Sequence, residues 1–416
     1  MEPSLEGKIR ARIARAGKIP FAEFMELALY NPGTGYYSRR AQPGVGKDYY
    51  TSPEAHPAFG ALISILLSRM WEVLNHPTRF YAIEMGAGGG SLARDVVRYA
   101  PNIPGHFSAA LRYVALDRFP LKSLPDDPSA AYQSLAASGT PLKRVVGCFL
   151  SNELIDSVPV HRFQIDQGSI KEVYVSVQNE RFVEVLDSPS TPELARRLGG
   201  LGSRLPEGYQ GEMNLRVGSW MADVATSVHR GFVLTVDYGY EARDLYSSER
   251  SDGTVQTYYQ HTSGSSPYER VGLQDITAHV DFSFLASEGE AAGLRTVGLC
   301  TQAEILSGLG IQQWLDMLKT DPLTQRERDA NAMAMRELIR PDGLGGFNVL
   351  AQEKGTGITD LGQLFPLMSS AGGACSGTEA VPVPLLRREH LPLMEGRYPH
   401  AGWQLEKLLP YGEIDG

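Results

Sequence analysis

The sequence predicts an α/β protein built on a mostly parallel sheet, and three observations predict it. Short apolar runs recur at residues 82–85, 113–116, 148–151 and 232–236, each followed by polar residues. Continuous apolar runs of this length suit parallel strands covered on both faces. The first run leads into a glycine-rich turn, with Gly86, Gly88 and Gly90 ahead of a helix-like stretch at 91–99. Finally, the four strand ends carry acids: Glu84, Asp117, Glu153 and Asp237.

From the N-terminus, Phe21, Phe24, Met25 and Ala28 fall on one helical face, and Asn31-Pro32-Gly33 stops that helix. A loop rich in Gly, Tyr and Pro runs on through Pro53. A second amphipathic helix then carries Ile63, Leu66, Leu67, Met70 and Trp71. Between the third and fourth strands the texture changes. Phe163/Ile165, Val173/Val175/Val177 and Val183/Val185 alternate with polar residues, and turn signals stand at Gln167-Gly168-Ser169 and Gln178-Asn179. Period-two alternation of this kind predicts an antiparallel meander inserted in the core. A helix carrying Trp220, Val224 and Val228 returns to the sheet, which runs 295–300 and 347–351 could complete. Capping-box pairs Thr301…Glu304 and Thr324…Glu327 open two late helices. The expected division is a helical N-terminal lobe at 1–75, a core at 76–160 and 231–354, an inserted β/helix lobe at 161–230, and a C-terminal extension at 355–416.

At 416 residues the chain is longer than single cores usually support, so two lobes or a decorated domain are expected. Its formal charge of −9 argues against a mainly electrostatic nucleic-acid binder. Cys148, Cys300 and Cys375 are far apart and form no C-x-x-C pair, which fits a reducing compartment and offers no zinc ligand set. The longest apolar stretch, 58–70, is too short to span a bilayer. The first residues lack the apolar core of a signal peptide. Their arginines faintly suggest a transit peptide, while Glu2 and Glu6 count against one, so a cytoplasmic location is expected.

In an open α/β sheet, ligands bind outside the carboxyl ends of the strands. The turn after Glu84 reads as a backbone cradle for a nucleotide-type ligand. A dinucleotide fingerprint needs a third glycine where the chain has Ser91. An acid two residues before G-x-G-x-G is instead the pattern of S-adenosylmethionine methyltransferases. On this reading Asp117 accepts hydrogen bonds from ribose hydroxyls and Glu84 holds the ligand's ammonium group, directly or through water. Asn152, Glu153 and Asp156, in LSNELIDSVPV, face the methyl donor or the incoming nucleophile, with a helix cap as the plainer role for Asn152. Thr51, Ser52 and Glu54, at a helix start, could bind a carboxylate or close a lid. His279 and Asp281 would form a third edge of the pocket. No G-x-S-x-G, active-site cysteine motif or H-E-x-x-H occurs, so neither a local nucleophile signature nor a metal is expected. Positioning an already activated methyl donor can supply roughly 7–11 kcal/mol of a barrier without such groups.

The segments FAEFMELALYNPGTGYY, DYYTSPEAHPAFG, IEMGAGGGSLARDVVR, SNELIDSVPVHRF, VDYGY, DITAHVDFSFL and LCTQAEILSGLGI occur in this order. With them the chain resembles the MidA-type S-adenosylmethionine-dependent methyltransferases over about residues 20 to 350. The family's mitochondrial member is a protein arginine methyltransferase needed for respiratory complex I assembly. The resemblance implies a class I methyltransferase fold, with a Rossmann-like sheet and an added helical and β lobe. It places the cofactor loop at Gly86, Gly88 and Gly90, the ribose acid at Asp117, and the N-E-x-x-D signature at Asn152, Glu153 and Asp156. Where TSPE usually follows Gly-Asp-Phe, this chain has Lys47-Asp48-Tyr49-Tyr50, and the stretch after Gly355 has no family counterpart.

The expected activity is methyl transfer from S-adenosylmethionine to nitrogen, with an arginine side chain of a protein or peptide as acceptor. Glu153 and Asp156 would orient the guanidinium and take its proton, with Asp237 in reserve. A closed pocket lined by Tyr49, Tyr50, Tyr258 and Tyr259 would point instead to a small-molecule O- or N-methyltransferase. An assembly factor that binds the cofactor without catalysis and a nicotinamide oxidoreductase are the competing classes, and a homodimeric state stays open.

Overall fold

Seven strands form one sheet in the order Arg295–Thr301, Asn348–Lys354, Val228–Asp237, Val145–Asn152, Phe80–Met85, Leu111–Asp117 and Tyr132–Ala136. The strands from Val228–Asp237 to Tyr132–Ala136 pair in parallel, and the first two pair antiparallel at the far edge. The computed structural model describes residues 4–40, 51–119, 132–199, 205–260, 262–264, 266–365, 381–387 and 390. It confirms the α/β class, and the observed strands contain or overlap each run read from the sequence. Tyr132–Ala136 was not expected: it lies at the sheet edge, and its five residues are half-buried or exposed, so no apolar run marks it.

The chain divides into two compact units. One, spanning Tyr50–Asn152, Val224–Val236 and Gly293–Gly416, holds the seven-stranded sheet. Helix Ala58–Val73 supplies much of its core, burying Phe59, Leu62, Ile63, Leu66, Leu67, Met70 and Trp71. Burial on this scale contributes roughly 1.5–3 kcal/mol for each large apolar side chain. Gly147 and Gly231 lie side by side in register, and Gly147 also pairs with Tyr81. A Cβ on Gly147 would lie 1.9 Å from Tyr81 O, and one on Gly231 would lie 1.9 Å from Gly147 O. Only glycine fits at either position. The capping boxes at Thr301/Glu304 and Thr324/Glu327 form as expected.

The other unit spans Met1–Tyr49, Glu153–Asp223 and Asp237–Ala292. It contains the predicted meander, His161–Asp166, Ser169–Gln178 and Arg181–Asp187, extended by Gln210–Met213 and by the short Ile19–Pro20. The turns occur where expected, with positive φ at Gln167, Gly168, Asn179 and Glu180. Helix Phe21–Tyr30 buries Phe21, Phe24, Met25 and Ala28, as its spacing predicted. The arginine-rich helix Leu5–Ala16 packs Leu5, Ile9 and Ile13 into the same core. The stretch read as loop through Pro53 contains helices Tyr36–Arg40 and Ser52–Ala55. Residues 41–50, including Lys47, Asp48, Tyr49 and Tyr50, lie outside the described residues. Most of the C-terminal extension does as well. Among the described residues, no helix is long and apolar enough to cross a membrane.

Candidate active site

In the sheet unit the sequence order reverses at strand Phe80–Met85. The chain first adds strands on one side, then returns to place Val145–Asn152 on the other. Such a switch point opens a crevice at the carboxyl ends of the strands, and the glycine turn lies there. Gly86, Gly88 and Gly90 have φ of 73°, 51° and 73°, a region that favours glycine. A Cβ on Gly88 would meet nothing closer than Gly86 O at 4.0 Å. The turn therefore offers bare backbone beside open space, which suits close approach of a nucleotide cofactor. Gly90 caps helix Ser91–Tyr99, whose first amide groups favour a polar or anionic ligand group.

Asp117, at the end of strand Leu111–Asp117, is tied to this turn. Its Oδ2 accepts the Gly88 N–H at 2.9 Å and its Oδ1 accepts the Phe119 N–H at 3.1 Å. Burial pushes its carboxyl up, and these amide bonds pull it back down. Glu84 lies deeper and is buried, its Oε2 accepting the Tyr113 hydroxyl at 2.9 Å. Burial pushes its carboxyl up to about 8, against the Tyr113 hydrogen bond and with the Asp117 charge adding to the rise. Asn152 ends its strand half-buried.

The TSPE segment opens a helix. Thr51 is the N-cap of Ser52–Ala55 and forms a capping box with Glu54. The Ser52 and Gln302 side chains are 2.9 Å apart, and Gln302 Nε2 donates to Leu338 O at 2.9 Å. Ser52 and Glu54 are both buried. His56 Nδ1 accepts the Ala58 N–H, so its other nitrogen, 3.0 Å from Asn331 Oδ1, is the donor. Burial pushes His56 down to about 3, which keeps it neutral.

The remaining predicted residues cluster in the other unit. Asp237 Oδ2 accepts the N–H groups of Leu154, Ile155 and Asp156 at 3.2, 2.9 and 3.3 Å, and its Oδ1 accepts that of Tyr238 at 2.9 Å. This carboxylate is spent on main-chain amides and fixes the turn that carries Glu153 and Asp156. Burial pushes it up to about 7, with the Glu153 charge second. Glu153 has φ of 50°, an unusual conformation for a non-glycine residue. Asp156 is buried; its Oδ2 accepts the Tyr238 hydroxyl, while its Oδ1 has no hydrogen-bond partner among the described residues. Burial raises its carboxyl well above the usual range, and the charges of Asp237 and Asp275 add to this.

His279 packs edge-on to Tyr238 at 5.4 Å, and its buried Nδ1 lacks a partner among the described residues. Burial, helped by the Arg250 charge, pushes it down to about 4. Asp281 caps helix Phe282–Ala291 by accepting the Phe284 N–H at 2.9 Å, which is a structural task. Tyr113, Tyr238 and Asp275 act on these groups but were not singled out from the sequence. Each meets its acid only in the folded chain, far from it in sequence.

Three comparisons with known proteins bear on this geometry. Residues 62–300 match the family model Methyltransf_28, described as "Putative S-adenosyl-L-methionine-dependent methyltransferase". The chain belongs to this family. It is an S-adenosylmethionine-dependent methyltransferase of the class I fold. The methyltransferase is similar to "Protein arginine methyltransferase NDUFAF7 homolog, mitochondrial" of Drosophila melanogaster, with 31% identity covering 81% of this chain and 80% of that protein. It is 25% identical to the mitochondrial Homo sapiens counterpart over 82% of this chain and 81% of that protein. A Burkholderia thailandensis protein crystallised with S-adenosyl-homocysteine superposes with a TM-score of 0.75 at 29% identity, covering 87% of this chain and 94% of that one. The mitochondrial relatives overturn the cytoplasmic expectation. That expectation rested on the acids among the first residues, and acids there are weak evidence against import.

Proposed function

We propose that this methyltransferase methylates a guanidinium nitrogen of an arginine side chain in a polypeptide, and that it acts in the mitochondrion, as its named relatives suggest. The observation that carries the reading is Asp156: a buried carboxylate with one oxygen held by Tyr238 and the other without a partner among the described residues. A bound guanidinium brings five N–H donors to that oxygen and a positive charge that favours the ionised form burial otherwise disfavours. When bound, S-adenosylmethionine supplies an activated methyl group and leaves as S-adenosyl-homocysteine. Asp156 and Glu153 orient the acceptor nitrogen, and one of them takes the proton that nitrogen loses as the new bond forms. Asp237 holds their turn in place through four amide hydrogen bonds. We assign the glycine turn, Asp117 and Asn152 to the cofactor, with Glu84 beneath the turn and Thr51, Ser52 and Glu54 shaping the wall at the TSPE helix. All of this chemistry except the TSPE segment lies in the proposed core, 76–160 and 231–354.

The test is to incubate the purified protein with methyl-labelled S-adenosylmethionine and mitochondrial extract from a strain lacking it, then identify the labelled residue by mass spectrometry. Methylarginine on one or a few proteins is the expected product. Label on a small molecule, or on a hydroxyl or carboxyl group, would overturn the proposal.

A further inference from the structure

The short described part of the C-terminal extension is bonded into the sheet unit at two places that matter for the cofactor. Val381, Val383 and Leu385 pack against the core, and Pro382 O accepts the Tyr99 hydroxyl at 2.9 Å. Leu386 N–H donates at 2.7 Å to Asn331 Oδ1, the same atom that His56 Nε2 approaches. His56 immediately follows the TSPE helix. His390, fully buried, places Nε2 at 3.0 Å from Oδ2 of the buried Asp95. Asp95 stands on helix Ser91–Tyr99, one turn after the glycine loop.

We propose that residues 381–387 and His390 clamp the cofactor cradle, with His390 as a positioning residue acting through Asp95. The physical argument concerns the partners of a buried carboxylate. Among the described residues, Asp95 without His390 would keep Arg94, at 3.7 Å, as its charged neighbour. A buried carboxylate that loses a hydrogen-bond partner moves toward water or draws water in. On its other side Asp95 has no slack: a Cβ on Gly60 would lie 2.5 Å from Asp95 Cβ. With Gly60 packed close on that side, release at His390 lets the helix shift away from it, and the helix start carries the Gly88–Gly90 backbone with it. The Asn331 link does the same for the TSPE segment. Residues 381–387 and His390 thus set cofactor affinity through the helix and the TSPE segment that they hold.

The inference rests on the glycine loop being the cofactor cradle, and the experiment separates the two. Binding of S-adenosyl-homocysteine to the full-length protein is measured by calorimetry for wild type, His390→Ala and His390→Gln, together with ligand-free melting temperatures. Glutamine puts an N–H donor near the place of Nε2. His390→Ala should bind about tenfold more weakly, and His390→Gln should stay within about threefold of wild type. No binding by wild type would sink the cradle itself. Normal binding by wild type and unchanged affinity in His390→Ala, with only a lower melting temperature, would overturn the clamp. Should His390→Ala fail to fold, Tyr99→Phe removes only the Pro382 bond and should still weaken binding about threefold; unchanged affinity there also overturns the proposal.

Discussion

Replacing Glu84 with glutamine removes one buried titratable group while keeping its shape and an oxygen for the Tyr113 hydroxyl. In the folded protein this carboxyl is pushed from its ordinary 4.5 up to about 8. A folded value above the unfolded one fixes the sign. Below 4.5 both states hold the proton and Glu84 costs nothing; as pH rises, the unfolded chain releases it first and the folded state loses ground until about 8. One proton corresponds to ~1.4 kcal/mol per pH unit. Between about pH 5 and pH 7.5 the Glu84→Gln protein should therefore gain about 3 kcal/mol on wild type. Urea unfolding followed by tryptophan fluorescence at half-unit pH steps measures the difference. A stability difference that stays flat over this range would refute the burial argument for Glu84.

Three further outcomes follow from Asp156, Asp237 and His279. If Asp156 takes the acceptor's proton as proposed, Asp156→Asn should lower the transfer rate by about 10²–10⁴ while leaving S-adenosyl-homocysteine affinity unchanged. Single-turnover rates and calorimetry check this together. Asp237→Ala leaves four main-chain N–H groups without their acceptor and should cost at least ~3 kcal/mol, read as a lower urea midpoint; Asp237→Asn, which keeps an oxygen, should cost less. His279→Gln should leave the pH–rate profile unchanged between about pH 5.5 and 8, because the imidazole is already neutral there. Loss of a profile limb in that variant would show that His279 titrates during turnover.

The sheet, the glycine turn and the meander were legible because each leaves a local trace: an apolar run, a glycine spacing or a period-two alternation. The capping boxes at Thr301 and Thr324 were legible for the same reason, since both partners lie within one turn. What stayed hidden depends on residues far apart in sequence. Asp237 reads as a strand-end acid like the others, yet the folded chain gives its lone pairs to four amides, three of them about eighty residues upstream. Glu84 reads as a charged ligand for an ammonium group, yet in the folded chain it is buried, accepts the Tyr113 hydroxyl of the neighbouring strand, and has its carboxyl pushed up by burial. Asp281 reads as a pocket edge and caps a helix. The mitochondrial relatives were beyond reach of composition, because location is read by receptors and not by the fold.

Gly147 and Gly231 act as a ruler for the central strands. With Tyr81, Gly147 and Gly231 abreast, slipping one strand past its neighbour would drive a side chain into a carbonyl oxygen. Five residues further on, a distance of roughly 16 Å, the same alignment sets Asn152 level with Val236. A notch near the start of two central strands thereby calibrates how their opposite ends line up.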